Sequence, residues 1–403
     1  MLRQPDHRDD AADGSGRRRV VFVTPGFSAS DDDWCIPILR DLAEGMAARN
    51  DVSIVALRYP ETSQCYQVAG INVVSLGGED RTGLSKIVLL GQAIVTVIRE
   101  ARRGSTDVIH AFWAHEPGAV ASIAGRLTGV PVVVTLMGGE LAALPEISYG
   151  GLLAPGNRML ARFSLGQANR IVALCQAVHR AAEDLVDPLR LCRLDLGVRT
   201  DRFRPGRGPL FSPPTNQIRF LAVGSLVPVK GHEVILRAFA RCHAELHRTS
   251  LDLVGEGPLR GALERQVREL GLGSAVRFVG AVDHSKLVDW YHRADVLVLG
   301  SWWEGGSPQV VHEALASGIP VVGTAVGILP ELTGSVRCVP VGEAETLGRE
   351  MIRVAASVET RARMAAAATA AVRPIDKCIA DHELLYDSIQ PANPHTDTER
   401  THG

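Results

Sequence analysis

Glu304-Gly-Gly-Ser-Pro-Gln-Val-Val-His-Glu313-Ala-Leu-Ala-Ser-Gly-Ile-Pro-Val-Val-Gly323 reads as one complete structural sentence. An apolar run ending at Leu299 leads into a two-glycine loop, a short helix and a second strand from near Ile319. Ser307 is predicted as the helix N-cap and Pro308 as its first residue, where a missing N–H costs nothing. Gly318 suits the left-handed position just beyond the helix, and Pro320 stops any continuation. Glu304 and Glu313 then flank a helix N-terminus whose free N–H groups attract anions. Strand, loop, helix, strand is the repeating unit of an open parallel sheet.

That unit recurs along the whole chain. In the first half, short apolar runs fall at 20–24, 52–57, 71–76, 108–112, 131–136 and 171–174. In the second they fall at 218–223, 251–254, 276–279, 296–299, 319–322 and 336–339. Runs this short, separated by helical stretches, predict buried parallel strands with right-handed crossovers. The helix over 38–49 carries Ile38, Leu42 and Met46 as a stripe to lie on a sheet. Between the halves, 204–216 holds four prolines and two glycines, which make a linker. The fold class is therefore α/β, with two Rossmann-like domains. The expected organisation is a tail over 1–18, a first domain over 19–204 and a linker over 205–216. A second domain over 217–375, a returning helix over 376–389 and a disordered polar tail over 390–403 complete it.

A chain of 403 residues is long enough for two domains with separate cores. Apolar content of 46% and a net charge of −2 mark an ordinary globular protein and give no sign of a nucleic-acid partner. No stretch reaches the roughly 18–20 uninterrupted apolar residues of a spanning helix. The first 19 residues lack the apolar core of a signal peptide, so a cytoplasmic location is expected. Seven scattered cysteines without CxxC spacing predict reduced thiols, with no zinc and no disulfide framework. Only four of the 43 basic residues are lysine, a bias of the kind GC-rich bacterial genes produce.

One of those lysines closes Gly224-Ser-Leu-Val-Pro-Val-Lys230 at the end of the 218–223 strand, where a cation can neutralise a diphosphate. A solvated surface lysine is the plainer reading. Gly255-Glu-Gly-Pro258 follows the 251–254 strand, and a simple turn explains it equally. Glu313 on its own reads as an exposed helix residue. Taken together, anion donors and flanking carboxylates at successive strand ends suit a ligand that is half phosphate and half polyol, such as a nucleotide-sugar.

The order of these segments, with Val276-Arg-Phe-Val-Gly280 and Tyr291-His-Arg-Ala-Asp-Val296, resembles the group 1 (family 4) retaining glycosyltransferases of GT-B architecture. His110-Ala-Phe-Trp113, the run from Gly129 to Thr135 and Leu196-Gly-Val-Arg-Thr-Asp-Arg-Phe-Arg-Pro205 have counterparts there too. The resemblance spans about residues 19 to 389. It implies parallel sheets facing each other across a cleft, with the C-terminal helix crossing back to the first domain.

For this chain the resemblance implies that Lys230 contacts the donor diphosphate, Glu304 the donor sugar and Glu313 the ribose hydroxyls. Gly305 and Gly306 would supply N–H groups with Ser307 at the helix tip, Glu256 would lie near the nucleotide, and Gly26 would let the first domain approach the donor. The implied reaction moves a hexosyl unit from a UDP- or GDP-sugar to a glycan or lipid-linked acceptor, with retention and without a metal or other cofactor. A nucleotide-sugar epimerase or hydrolase, or a non-catalytic binding subunit, is the alternative on the same fold.

Three positions depart from the family pattern. Glu304 and Glu313 stand nine apart where eight is usual, Ser225 replaces an arginine, and Met137 replaces a histidine beside the transferred sugar. His115 is the histidine left to serve near the acceptor, against a structural role. Asp31, Asp32 and Asp33 are read as capping the 38–49 helix and not as metal ligands. No Gly-x-Gly-x-x-Gly follows the first strand and no nucleophile elbow occurs. Arg158, Met159, Leu160, Arg162, Phe163 and Leu165 offer a basic-apolar helix for peripheral membrane contact, against packing on their own domain.

Overall fold

A computed structural model describes residues 17–206 and 217–389. Of the expected linker over 205–216 and first tail over 1–18, residues 207–216 and 1–16 lie outside the described residues, as does the expected tail at 390–403. The first domain runs β1 (Arg19–Gly26), α1 (Pro37–Ala47), β2 (Asp51–Tyr59), β3 (Ser63–Val68), β4 (Ile71–Leu76) and α2 (Gly83–Arg102). It continues with β5 (Val108–Phe112), α3 (Glu116–Thr128), β6 (Val132–Leu136), α4 (Pro155–Gln167), β7 (Arg170–Ala173), α5 (Gln176–Glu183) and β8 (Leu191–Arg193). Its sheet order is β3-β4-β2-β1-β5-β6-β7-β8.

The second domain begins with β9 (Ile218–Val223), α6 (His232–Leu246), β10 (Thr249–Val254), α7 (Arg260–Glu269), β11 (Val276–Gly280) and α8 (Leu287–Arg293). Next come β12 (Val296–Leu299), α9 (Gln309–Ala316), β13 (Val321–Thr324) and β14 (Val336–Val339). The last helices are α10 (Ala344–Ala356), α11 (Val358–Ala371) and α12 (Ile375–Asp387). This sheet orders as β11-β10-β9-β12-β13-β14, and all its ladders are parallel. Apolar strands need cover on both faces, and helices provide it. Val20 and Phe22 pack towards Leu39, Leu42 and Met46 of α1, while Val21 and Val23 pack towards Leu89, Ala93 and Val97 of α2.

Two strands escaped the sequence reading. β3 is an edge strand antiparallel to β4, joined through Ala69 and Gly70, both with positive φ as a two-residue hairpin turn requires. β8 is only three residues long and pairs with β7 at the other edge. The helix predicted at 38–49 starts one residue earlier, at Pro37, and buries Leu42 and Met46 as expected. Its expected cap is corrected: α1 has no side-chain cap. Asp31 and Asp33 instead accept the amides of Ala69 and Ala29, at 2.8 and 2.7 Å, and pin the loop before the helix.

The C-terminal α12 returns to the first domain. Cys378, Ile379, His382, Leu385 and Tyr386 form its buried face, and the Tyr386 hydroxyl meets His110 Nδ1 of β5 at 2.6 Å. Strand order reverses between β1 and β5 in the first sheet and between β9 and β12 in the second. Open α/β sheets take their ligands beyond the strand C-termini at such points.

Candidate functional site

Lys230 and Glu304 meet at the second sheet's reversal. Lys230 ends the loop after β9, Glu304 sits in the loop after β12, and Nζ lies 2.6 Å from Oε1. The Ser301 hydroxyl donates to the same Glu304 oxygen at 2.7 Å. Both side chains keep some exposure, 28% for the lysine and 10% for the glutamate, so each can exchange its partner for a ligand. Beside them, the amides of Gly305, Gly306 and Ser307 make no backbone hydrogen bond among the described residues. A cation, unfilled N–H donors and a carboxylate thus lie along one loop edge.

That loop also touches the first domain. A Cβ on Gly305 would fall 1.5 Å from the Gly138 Cα, so glycine is needed for the two backbones to meet. Trp303 Nε1 donates to the Gly138 carbonyl at 3.1 Å. Gly138 is itself held by Glu140, which accepts the amides of Met137 and Gly138 at 2.9 and 2.7 Å. Burial pushes the Glu140 carboxyl up against the pull of those amides. Gln176 N donates to Glu331 at 2.8 Å, and Arg193 pairs with the same carboxylate. The sequence reading missed Glu140, Asp195, Trp303 and Glu331. Only Glu140 left a signal, a short-range acid directly after Gly-Gly.

Three expected residues, Ser307, Pro308 and Glu313, are placed differently. Ser307 is not the N-cap: α9 starts at Gln309 with Pro308 as cap, because the serine hydroxyl donates to Asp195 at 2.9 Å and also bonds His312. Gly318 does take the left-handed conformation foreseen for it, with φ 78°. Glu313 is neither an exposed helix residue nor turned to the cleft. It is 1% exposed, accepting from His284 Nε2 at 2.6 Å and from the Tyr291 hydroxyl at 2.7 Å. The reason is that α9 is short and buried on nearly every side, from Val311 to Ala316. Arg202 Nη1 donates to His284 Nδ1 at 3.2 Å, and the Trp34 ring packs at a tilt against the same imidazole, centroids 4.8 Å apart. The ribose contact expected of Glu313 is not prepared by this arrangement.

His115 belongs to a first-domain cluster. Its Nδ1 accepts from Glu116 N at 3.0 Å, capping α3, and burial lowers its pKa. Glu116 is gripped by Arg58 and Lys86. Burial pushes its carboxyl up, but those two partners outweigh it and bring it to about 2. Gly26 ends β1 with Tyr59 and Cys35 as neighbours. Ser225 is exposed in the loop after β9, and Glu256, in the loop after β10, pairs with Arg260 of α7. On α4, Met159 and Phe163 stay exposed while Leu165 is buried. Among the described residues no helix is long and apolar enough to cross a membrane.

Two family models match. Residues 36–223 fit a glycosyl transferase 4-like domain and residues 211–371 fit glycosyl transferases group 1. Over 272 residues the chain is 33% identical to D-inositol 3-phosphate glycosyltransferase 2 of Catenulispora acidiphila, covering 61% of this chain and 62% of that protein. Over 310 residues it is 31% identical to D-inositol 3-phosphate glycosyltransferase of Streptomyces griseus, covering 67% and 64%. The chain thus spans a little over three fifths of the length of these relatives.

Among solved structures, sucrose-phosphate synthase of Thermosynechococcus elongatus aligns with a TM-score of 0.75 at 19% identity, over 92% of this chain and 98% of that one. Anabaena HepE, solved with UDP and glucose, aligns at 0.73 and 19%, over 93% and 100%. At such identities these two show a shared fold.

Proposed function

The chain belongs to the group 1 glycosyltransferases of GT-B architecture, and from that premise we propose that it moves a hexosyl unit from a UDP- or GDP-sugar to a hydroxyl acceptor. The transfer retains configuration at the anomeric carbon and needs no divalent metal. The observation that carries this reading is the Lys230–Glu304 pair at 2.6 Å, set at the sheet reversal beside the amides of 305–307. Solved relatives of the fold hold UDP and UDP-glucose, which supports the uridine donor first.

In the transfer, the acceptor oxygen bonds to the anomeric carbon as the bond from that carbon to the diphosphate breaks. The electron pair leaves with the diphosphate, and the acceptor proton passes to a phosphate oxygen on the same face. Lys230 and the loop amides stabilise the charge that gathers on the leaving group. Glu304 turns from the lysine to the sugar hydroxyls. The Gly138–Gly305 contact keeps water from an oxocarbenium-like sugar. Ser225 and Glu256 flank the nucleotide, while Glu313 acts as a positioning residue that fixes His284 and Tyr291 behind it.

Lys230→Ala tests the assignment. Calorimetric titration with UDP-glucose and GDP-mannose should show donor affinity falling at least tenfold, about 1.4 kcal/mol. Nucleotide release should fall with it. A variant that binds and turns over donor like the native chain would remove the basis of the reading.

A further inference from the structure

The Glu304 loop also borders a cavity of about 410 Å³, within the range of small-molecule sites. It is an interdomain space. Leu144 and Glu146 come from the loop after β6, Ala177 and Val178 from the first turn of α5, and Trp302, Trp303 and Glu304 from the loop after β12. Ala325, Val326, Gly327 and Val341, beyond β13 and β14, close it. We propose that this cavity holds the acceptor, and that the acceptor part it takes is apolar and unphosphorylated. The proposal rests on the donor reading above, because Glu304 is the wall shared with the donor sugar.

Charge decides against a phosphorylated acceptor. Among the described residues no lysine, arginine or histidine lines the cavity, whereas two carboxylates, Glu146 and Glu304, do. Lys230 faces Glu304 and is claimed by the donor diphosphate. A phosphate brought here would lose its water without gaining a counter-charge, which is costly. The apolar character is set by the two indoles. Trp302 Nε1 donates to Glu233 at 3.2 Å and Trp303 Nε1 to the Gly138 carbonyl at 3.1 Å. Both donors are spent, so these side chains have ring surface left to offer. With Val178, Val326 and Val341 they form walls suited to an aromatic or alkyl group. An acceptor seated there places its hydroxyl towards Glu304, where the sugar is transferred.

A matched pair of probes, 2-phenylethanol and 2-phenylethyl phosphate, tests this with the full chain, with and without UDP. The alcohol should bind at least tenfold more tightly than its phosphate and should yield a glycoside when UDP-glucose is present. Ala177 is exposed, so Ala177→Trp fills the cavity without disturbing the core. It should weaken alcohol binding at least tenfold while UDP affinity stays within twofold. Glu146→Lys, also at an exposed position, should improve binding of the phosphate. Equal or tighter binding of the phosphate by the native chain would overturn the proposal. So would alcohol binding that Ala177→Trp leaves unchanged, or donor turnover that never yields the glycoside. If UDP fails to bind while the alcohol still does, the donor reading has failed and the cavity's apolar preference stands.

Discussion

Glu304 is the residue on which two tasks compete. It pairs with Lys230, and on the proposed reading it turns to sugar hydroxyls only when a diphosphate takes the lysine over. Removing its charge should therefore separate binding from turnover. Glu304→Gln is expected to bind UDP several-fold more tightly, because Lys230 loses its competitor, and to transfer at least a hundredfold more slowly. Calorimetry and initial rates read the two effects, and weaker UDP binding would contradict the competition. Glu313 shows the cost of a buried charge. With His284→Ala, one carboxylate oxygen loses its donor inside the protein, and about 3 kcal/mol of stability should be lost. Adding Glu313→Gln should return part of it, as seen in urea denaturation midpoints. A loss below about 0.5 kcal/mol would mean that water replaces the imidazole at no cost. The sequence placed Lys230 and Glu304 at strand ends in glycine loops, and the structure brings the two together. The burial of Glu313 was not, since its donors lie 22 and 29 residues earlier in the chain.

At the scale of elements, the strands announced themselves because apolar runs of four to six residues have no other use in an alternating chain. β3 did not, being an edge strand of mixed polarity, Ser-Gln-Cys-Tyr-Gln-Val, that lacks the continuous apolar run of a buried strand. Helix termini were legible in type and misplaced in detail. Gly318 ends α9 as foreseen, but the start moved because a serine bonded to Asp195 has no lone pair aimed at the helix amides. The loop before α9 is the element on which closure turns. Gly305→Ala would set a methyl carbon against Gly138 and part the two domains at that contact. Transfer should fall at least tenfold with the acceptor KM raised, while thermal stability and UDP affinity change little, since neither sheet is touched. Unchanged kinetics would show that the Gly138 contact is irrelevant to turnover.

Across the whole molecule, a line of polar groups joins the domains behind the cleft. Asp41 of α1 faces Arg202 at 3.8 Å, Arg202 reaches His284, and His284 holds Glu313. Trp34 lies under both Arg40 and Arg202, at 4.0 and 4.7 Å, and completes the packing. Nothing in the sequence alone linked these positions, because the line exists only once two domains are apposed. Its weak point is Asp41, fully buried with neither oxygen hydrogen-bonded among the described residues. Burial pushes its carboxyl up to about 6 from an ordinary 3.8, and the attraction of Arg202 only partly offsets that. The folded state therefore holds this proton more tightly than the unfolded chain does. Stability from this site is present at low pH and is lost as pH rises from about 4 through about 6, by roughly 1 kcal/mol per pH unit. Asp41→Asn carries no titrating proton there, so the native chain should lose stability relative to the variant between pH 5 and pH 7.5. Urea unfolding of both chains at those two values reads the difference directly. If the gap between them stays constant, Arg202 neutralises Asp41 fully and the line carries no proton-linked weakness.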